Sequence, residues 1–267
     1  MTIQQVIDAI LAYHPVLDRP ETCDGFKSGN PSDECTGIVT TCMASVDVIR
    51  KTAELGYNLI ICHEPTFYTH MDKTDWLEGK NEVYDEKREL IDKHGIAIWR
   101  DHDHIHAHRP DGIFYGVMKE LGWEEYLVDD PERPRQFKLP KTTVRELANY
   151  LKEKMGLNAV RVIGDVDAEV STVAFGGHVY PPIPEHNATN LLNTVDVLIP
   201  GELIDWTVTS YARDAGQLGK HKAIFHVGHF SMEELGMKYA VNWIKELIDS
   251  KLPVQFVRSG DPYNYIY

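Results

Sequence analysis

The sequence predicts an α/β protein in which most strands pair in parallel. Short apolar runs, such as residues 59–62, 96–99 and 223–227, alternate with segments of helical periodicity along the whole chain. This alternation is typical of β-α-β units. An apolar run followed by a turn carrying a glutamate occurs twice, at 59–64 and 197–202, so we expect two similar halves with mixed, largely parallel sheets.

The composition is that of an ordinary globular chain. It has 267 residues, 43% of them hydrophobic and 25% charged, and a formal net charge of -14. That charge repels phosphate, so nucleic acid and anionic membrane are not expected partners. No segment approaches the roughly 20 consecutive apolar residues of a membrane span. The four cysteines have no CxxC spacing, which favours reduced thiols in a cytoplasmic protein.

The first half contains an amphipathic helix, a long loop and three β-α repeats. Thr2 and Gln5 have the spacing of a capping box at the start of the first helix. In order, we expect a loop at 23–33, a strand at 37–41, a helix at 45–55, a strand at 57–62, irregular chain at 66–80, a helix at 82–93, a strand at 96–99 and a helix at 112–121.

The charged, proline-containing segment 123–140 is interpreted as the connection, which divides the chain into residues 1–125 and 126–267. Thr143 and Glu146 form a second capping box. The second half is then expected to contain a helix at 143–155, strands at 159–163, 170–175 and 195–199, a helix at 203–215, a strand at 223–227, a helix at 231–248 and a strand at 254–258.

Histidine is concentrated where one apolar run ends. Residues 102–108 carry four alternating histidines interleaved with Asp103, a composition typical of metal binding or proton transfer. In an extended chain, His102, His104 and His106 would share one face, so some of them would support ligands rather than bind. His108, beside Arg109, is expected to be exposed, and Cys62 to be a packed strand residue rather than a ligand.

Two other strand ends supply matching groups. His63 and Glu64 follow residues 59–62, and His229 and Glu233 follow residues 223–227. Ser231 and Glu234 have capping-box spacing, which gives Glu234 a structural task and leaves Glu233 available as a carboxylate ligand. Each motif also has a structural interpretation that needs no metal. His63 would be a solvated histidine beside a carboxylate, the segment from residue 102 a histidine-rich polar loop, and Glu233 a residue in a favourable helix-dipole interaction.

Histidine and carboxylate without thiolate suit zinc, iron, manganese, cobalt or nickel. Five or more such ligands are enough for two divalent ions. The seven histidines outside these motifs are interpreted as structural or solvent-facing: His14, His70, His94, His178, His186, His221 and His226.

The motifs resemble those of the Nif-three-like family of dinuclear metal-centre hexameric proteins, which are also called GTP cyclohydrolase I type 2 homologues. The resemblance covers nearly the whole chain. It rests on the motifs at residues 24–29, 62–65, 102–106, 176–177, 200–202 and 228–233. It implies the Nif-three-like fold, a metal site between the two halves and a homo-hexamer.

Two positions depart from the family pattern. Glu64 stands where the family has a second histidine, and the family's bridging aspartate falls on His106 when counted from His102. The two changes compensate, since three imidazoles (His63, His106, His229) and two carboxylates (Glu64, Glu233) remain. The resemblance therefore implies these five residues as metal ligands, with His104 or Asp103 as alternatives to His106.

The expected activity is metal-dependent hydrolysis of a small molecule, a nucleotide or a related heterocycle. Metal ions lower the pKa of bound water to about 7, and Asp103 or His102 are the candidate catalytic groups that move protons. GTP as substrate comes from the resemblance alone. The alternative is a non-catalytic ring that binds metal for a regulatory, storage or scaffold role.

Overall fold

The computed structural model describes residues 1–177, 184 and 186–266. It consists of two compact units. The first comprises Met1–Gly116 and Gly236–Ser259, and the second comprises Val117–Leu235 and Gly260–Tyr267. Each unit contains one five-stranded sheet. The two sheets are mixed and largely parallel, which confirms the predicted α/β fold class.

The first sheet has the strand order β1-β4-β3-β2-β10. Strand β1 is antiparallel to β4, and the other neighbours are parallel. Leu59 pairs with Ala97 and Cys62 with Arg100, so β3 and β4 end side by side. The strands are β1 (Gly25–Ser28), β2 (Ile38–Thr41), β3 (Leu59–Cys62), β4 (Ala97–Arg100) and β10 (Val254–Phe256).

The helices that begin in the first unit follow the sequence signals closely. Thr2 and Gln5 form the predicted capping box of α1, Ser45 caps α2 and Asn81 caps α3. Gly56 ends the turn after α2 with φ 71°, a conformation that favours glycine. The helices are α1 (Ile3–Tyr13), α2 (Val46–Glu54), α3 (Glu82–Lys93), α4 (Asp103–Ala107) and α5 (Gly112–Leu121).

The second sheet has the strand order β5-β7-β8-β9-β6. Strands β7, β8 and β9 are parallel, and the edge strands β5 and β6 are antiparallel to their neighbours. The strands are β5 (Gln136–Thr143), β6 (Arg161–Ile163), β7 (Glu169–Phe175), β8 (Val197–Ile199) and β9 (Ala223–His226). The helices are α6 (Val144–Met155), α7 (His186–Thr194), α8 (Ser210–Gln217) and α9 (His229–Leu247).

The structure corrects several sequence-based boundaries. The loop at 23–33 contains β1, and the connection at 123–140 contains a 3-10 turn (Glu124–Tyr126) and the start of β5. Both strands lie at sheet edges, where glycine and proline are tolerated. The division at residue 125 places β10 in the second half, but β10 pairs with β2 of the first sheet.

Three helices also differ. Helix α7 was not predicted, and the helix expected at 203–215 is a π-helical turn (Asp205–Thr209) followed by α8, with non-helical φ/ψ at Thr207. Helix α9 begins at His229, so Ser231 lies inside its first turn and does not cap it. Among the described residues, no helix combines the length and apolar character needed to cross a membrane.

Candidate metal centre

Two neighbouring parallel strands deliver the first residues of the site. His63 directly follows β3, and Asp101 and His102 directly follow β4, whose last residue pairs with the last residue of β3. The carboxyl ends of parallel strands are where sites form in α/β sheets. The His63 side chain is fully buried there.

Asp24 fixes the backbone conformation of the residues that follow β4. Its Oδ1 accepts hydrogen bonds from the backbone N–H groups of His102 and Asp103, both at 2.8 Å, and its Oδ2 accepts one from His104 at 2.9 Å. A carboxylate in this position satisfies the free N–H groups at a helix start. Residues Asp103–Ala107 therefore form helix α4, so the arrangement that an extended chain would give, with His102, His104 and His106 on one face, does not occur.

The helical geometry of α4 separates His104 from His102 and His106. Residues four apart share a face of a helix, which brings His106 to the side of His102. His104 lies elsewhere, with its Nδ1 2.6 Å from Asp24 Oδ2. His108 is half-buried and not exposed as predicted, and its ring lies 4.3 Å from that of Tyr13.

His63, His102 and His106 form one cluster. One ligand atom from each lies within 4.8 Å of those of the other two. The His63 and His102 rings stack with their centroids 4.6 Å apart, and the His106 ring lies edge-on to both at 4.9 and 5.1 Å. This spacing allows the three imidazoles to share a metal ion.

Each of the three imidazoles has its Nδ1 engaged by an acceptor. The partner of His63 Nδ1 is the Asp101 carbonyl oxygen at 3.1 Å, that of His102 is Asp103 Oδ1 at 3.0 Å, and that of His106 is Asp111 Oδ2 at 3.1 Å. A carbonyl oxygen only accepts, so His63 carries its proton on Nδ1 and has the Nε2 lone pair for a ligand. Histidines that bind metals are commonly oriented in this way.

The pKa directions support the same protonation pattern at His102. Burial and the neighbouring His63 lower the pKa of His102 to about 4, so its ring is neutral at pH 7. Burial alone would raise the pKa of Asp103, but hydrogen bonds from His102, Thr22 and the Cys23 N–H hold it well below the usual range. An ionised Asp103 accepts the Nδ1 proton, which leaves His102 Nε2 unprotonated.

Asp103 is further held by polar partners. Thr22 donates its hydroxyl to Asp103 Oδ2 at 2.7 Å, the Cys23 N–H donates at 3.1 Å, and Arg19 forms an ion pair with Oδ1. With so many donors and so low a pKa, Asp103 is suited to orienting His102. The prediction that Asp103 and His102 transfer protons stays a prediction.

Glu64 lies beside a buried arginine. The Arg100 side chain is fully buried, and its Nη2 is 3.5 Å from Glu64 Oε2. Arg100 also donates to the His63 carbonyl oxygen at 2.9 Å and to the His70 carbonyl oxygen. Burial dominates the lowered pKa of His102, and the Glu64 charge opposes this lowering.

The second unit contains a different group around His229. Its Nδ1 lies 2.5 Å from Glu202 Oε1, and its Nε2 lies 3.1 Å from Glu233 Oε2. Glu202 comes from the turn after β8, and a Cβ on Gly201 would lie only 3.2 Å from His229 Nδ1. Glycine at this turn therefore lets the imidazole approach Glu202.

Several supporting residues were not predicted from the sequence. Asp111 accepts from the N–H groups of Ile113 and Phe114 at the start of α5 and also contacts His106, and an aspartate before a predicted helix is the signal that could have identified it. Asp24 acts across 78 to 80 residues, so no local pattern reveals it. His14 is buried against Asp101, in keeping with its structural interpretation, and His178 lies outside the described residues.

Cys62 is a packed strand residue, as expected. It is fully buried, with its Sγ 3.8 Å from Thr66 Oγ1. Burial raises the pKa of its thiol to about 12. A thiol that holds its proton at neutral pH is a poor ligand.

A sequence model of the Duf34/NIF3 (NGG1p interacting factor 3) family matches residues 1–262. The chain belongs to this family. A protein of Clostridium perfringens named GTP cyclohydrolase 1 type 2 homolog is 24% identical, with 100% of both chains covered. A protein of the same name from Lactococcus lactis is also 24% identical, over 74% of this chain and 78% of its own.

Solved structures share the fold. Staphylococcus aureus protein SA1388 matches with a TM-score of 0.71 at 17% identity, covering 100% of this chain and 99% of its own. A Bacillus cereus protein related to NIF3 matches with the same score at 14% identity and the same coverage. The mixed α/β architecture with two mostly parallel sheets is therefore that of the family.

Proposed function

We propose that this protein binds divalent transition-metal ions, with His63, His102 and His106 as ligands in the first unit. The observation that supports this most strongly is that all three Nδ1 atoms engage an acceptor. Hydrogen bonding of this kind raises the basicity of the other ring nitrogen and fixes its direction. The His63 ring is fully buried and the other two rings are partly buried beside it, an arrangement of polar groups that a shared metal ion would explain.

The donor set fits the ions that the sequence favours. Imidazole and carboxylate suit zinc, iron, manganese, cobalt and nickel, and Glu64, which directly follows His63 in the chain, supplies the carboxylate. His229 and Glu233 form the second group of proposed ligands, with Glu202 as the residue that orients His229. The proposal is for two ions in all. Glu64, His63, His106, His229 and Glu233 keep the ligand roles that the sequence assigned them, and His102 joins them.

We further propose that the bound metal serves hydrolysis of a nucleotide or related heterocycle. The relatives named GTP cyclohydrolase 1 type 2 homolog support this substrate class. A divalent ion supplies Lewis acidity and lowers the pKa of the water that it coordinates. Asp103 and Asp111 hold the Nδ1 protons of His102 and His106, and the helical turn of α4 keeps both rings on one face.

Metal analysis of the purified protein tests the binding proposal. We expect close to two transition-metal equivalents by mass spectrometry, and a large loss in the double variant His63→Ala/Glu233→Ala. His94→Ala, which changes an exposed histidine at the end of α3, is the matched control and should keep the metal. Equal, negligible metal in the unaltered protein and the double variant would contradict the proposal.

Catalysis and assembly are tested separately. Metal-loaded protein is incubated with GTP and other nucleotides, and the products are separated by chromatography. Turnover that His63→Ala abolishes and His94→Ala keeps would support hydrolysis, whereas metal binding without turnover would favour the non-catalytic role. A homo-oligomer, the hexamer implied by the family resemblance, should be visible by light scattering.

A further inference from the structure

The first unit contains a cavity that lies apart from the histidine cluster. Its volume is about 290 Å³, and its lining comes from the end of α1, from α4 and the start of α5, and from the part of α9 after residue 238. This is near the lower limit of small-molecule pockets. It has room for one ring system rather than a whole nucleotide.

The walls of the cavity are mainly aromatic. Tyr13 and Trp243 stack with their ring planes at 15° and their centroids 5.1 Å apart, and Tyr115 and Tyr239 pack edge-on at 5.8 Å. All four line the cavity, together with His108. Aromatic faces bind flat rings by stacking and bind cations through their electron-rich faces.

Glu246 is the only aspartate or glutamate among the described residues of the lining, and no lysine or arginine is among them. Arg109, next to the lining residue Pro110, directs its Nη1 to the carbonyl oxygens of His106 and His108 at 2.9 and 2.6 Å. An anion placed in the cavity would therefore meet the Glu246 side chain and no lysine or arginine of the lining. Asn242 adds an amide group that can accept or donate.

Tyr13 adds an uncharged phenol ring to the lining. Burial, Tyr239 and Glu246 raise its pKa above the ordinary value. The ring therefore remains neutral at pH 7.

The cavity and the metal ligands use different faces of α4. Ile105 lines the cavity, whereas His102 and His106 belong to the histidine cluster. His14, another lining residue, is fixed through its Nε2 to Asp101 Oδ2 at 3.1 Å. A ligand in the cavity would contact the back of the helix whose other side carries the cluster.

We propose that this cavity is a second binding site, which takes one planar nitrogen heterocycle that is neutral or cationic and carries N–H donors. Adenine is a representative probe of this class. Its ring stacks on Trp243 or Tyr13, and its N–H groups donate to Glu246 and Asn242. This proposal does not depend on metal binding, since no lining residue is a proposed metal ligand.

The test is isothermal titration calorimetry of the protein with adenine and with purine-6-carboxylate. The second compound has the same purine ring but carries an anionic carboxylate in place of the amino group. We expect adenine to bind and the carboxylate to bind at least about tenfold more weakly, because an anion next to Glu246 loses the pairing that an N–H donor gains. Repeating the titration on His63→Ala protein separates this result from the fate of the metal proposal, and adenine binding should persist there.

Two variants locate the site. Glu246→Gln is conservative at an exposed residue and should weaken adenine about three- to tenfold while reducing the discrimination against the carboxylate. Trp243→Leu should also weaken adenine by removing the stacking surface, with circular dichroism to verify folding. Glu89→Gln, an exposed glutamate of α3, is the control and should bind as the unaltered protein does. Absence of adenine binding, equal affinity for both purines, or an unchanged affinity in Glu246→Gln would overturn the proposal.

Discussion

The two sheets have similar β-α-β arrangements, but the two units bury charged groups to very different extents. Among the described residues of the first unit, eight residues of the types Asp, Glu, Lys, Arg and His are less than a tenth exposed: His14, His63, Glu64, Lys87, Arg100, Asp101, Asp103 and Asp111. In the described part of the second unit the corresponding residues are Glu233 and Glu234, both on α9. The ion pairs of its edge strands and α6 lie at the surface.

This difference in buried charge indicates that the first unit carries the larger free energy cost of charge burial. Burying a charge is unfavourable unless it is paired and hydrogen-bonded. In the first unit, three of these residues contact the imidazoles: the Asp101 carbonyl oxygen and the Asp103 and Asp111 carboxylates lie within hydrogen-bond distance of the Nδ1 atoms of His63, His102 and His106. The second unit has an apolar core around Leu198 and Ile224, which needs no such pairing. The buried network therefore serves the site more than the fold.

The largest expected effect comes from removing the buried arginine. Arg100→Met should lower the free energy of unfolding by about 3–5 kcal/mol, because it leaves Glu64 and Asp72 without their buried cation. Chemical denaturation measures the change. A decrease in the free energy of unfolding of less than about 1 kcal/mol would show that Glu64 and Asp72 do not need Arg100 to offset the cost of burying their charges.

The next effect is a dependence of stability on pH. Burial lowers the pKa of Lys87 to about 8 from an ordinary value of 10.5. Between these values the unfolded chain binds more protons than the folded one, so the Lys87 contribution to stability rises as pH increases from about 8 to 10.5. The full gain is about 3 kcal/mol, and it is absent below pH 8.

The comparison with Lys87→Met isolates this contribution, because buried cysteines also titrate in the alkaline range. Burial raises the pKa of Cys23 and Cys62 to about 12, which acts in the opposite direction. Denaturation curves of both proteins at pH 7.5 and 10.5 give the difference. If the unaltered protein gains no stability relative to Lys87→Met between these pH values, burial does not lower the pKa of Lys87.

A matched pair of variants compares the two candidate ligand groups. Asp111→Asn changes the acceptor of His106 Nδ1 but keeps an oxygen for the start of α5, and it should weaken metal binding about 10–100-fold. Glu202→Gln makes the same kind of change at His229. Zinc titration of each variant measures the effect, with Asp167→Asn as an exposed control. An affinity unchanged by Asp111→Asn would argue against the orienting role.

The smallest effect is expected at the surface of the second unit. Arg145 and Asp167 form an ion pair at 2.9 Å with more than half of each side chain exposed. Arg145→Gln should change the free energy of unfolding by less than about 1 kcal/mol. A larger loss, measured in the same denaturation assay as Arg100→Met, would weaken the contrast between the two units.

Much of the fold could be predicted from local sequence because its signals are local. The bounds of α3 and α5 and the capping boxes at Thr2 and Thr143 agree with the sequence patterns. Strands β1 and β5 were missed because glycine and proline weaken a strand pattern, and pairing with a neighbour compensates only in three dimensions. The start of α9 moved because the chain turns at Gly228 and not at Ser231.

The candidate site divides in the same way. His63 could be proposed because a histidine directly after an apolar run is conspicuous, whereas His106 was proposed from the family resemblance, by counting from His102. The helical turn that separates His104 from His102 depends on Asp24, which no pattern within residues 102–108 contains. The positions of His229, Glu202 and Glu233 in one group follow from the turn at Gly201, and the metal-ligand roles of these residues stay predictions.

The contact between Asp24 and helix α4 has a consequence for the order of folding. Five residues are too few for a stable isolated helix, so α4 depends on an anchor contributed from 78 to 80 positions earlier in the chain. We therefore expect the three imidazoles to come together only after that large loop has closed and β1 has paired with β4. Removing Asp24 and β1 is expected to disrupt the cluster, although neither contains any of its imidazoles.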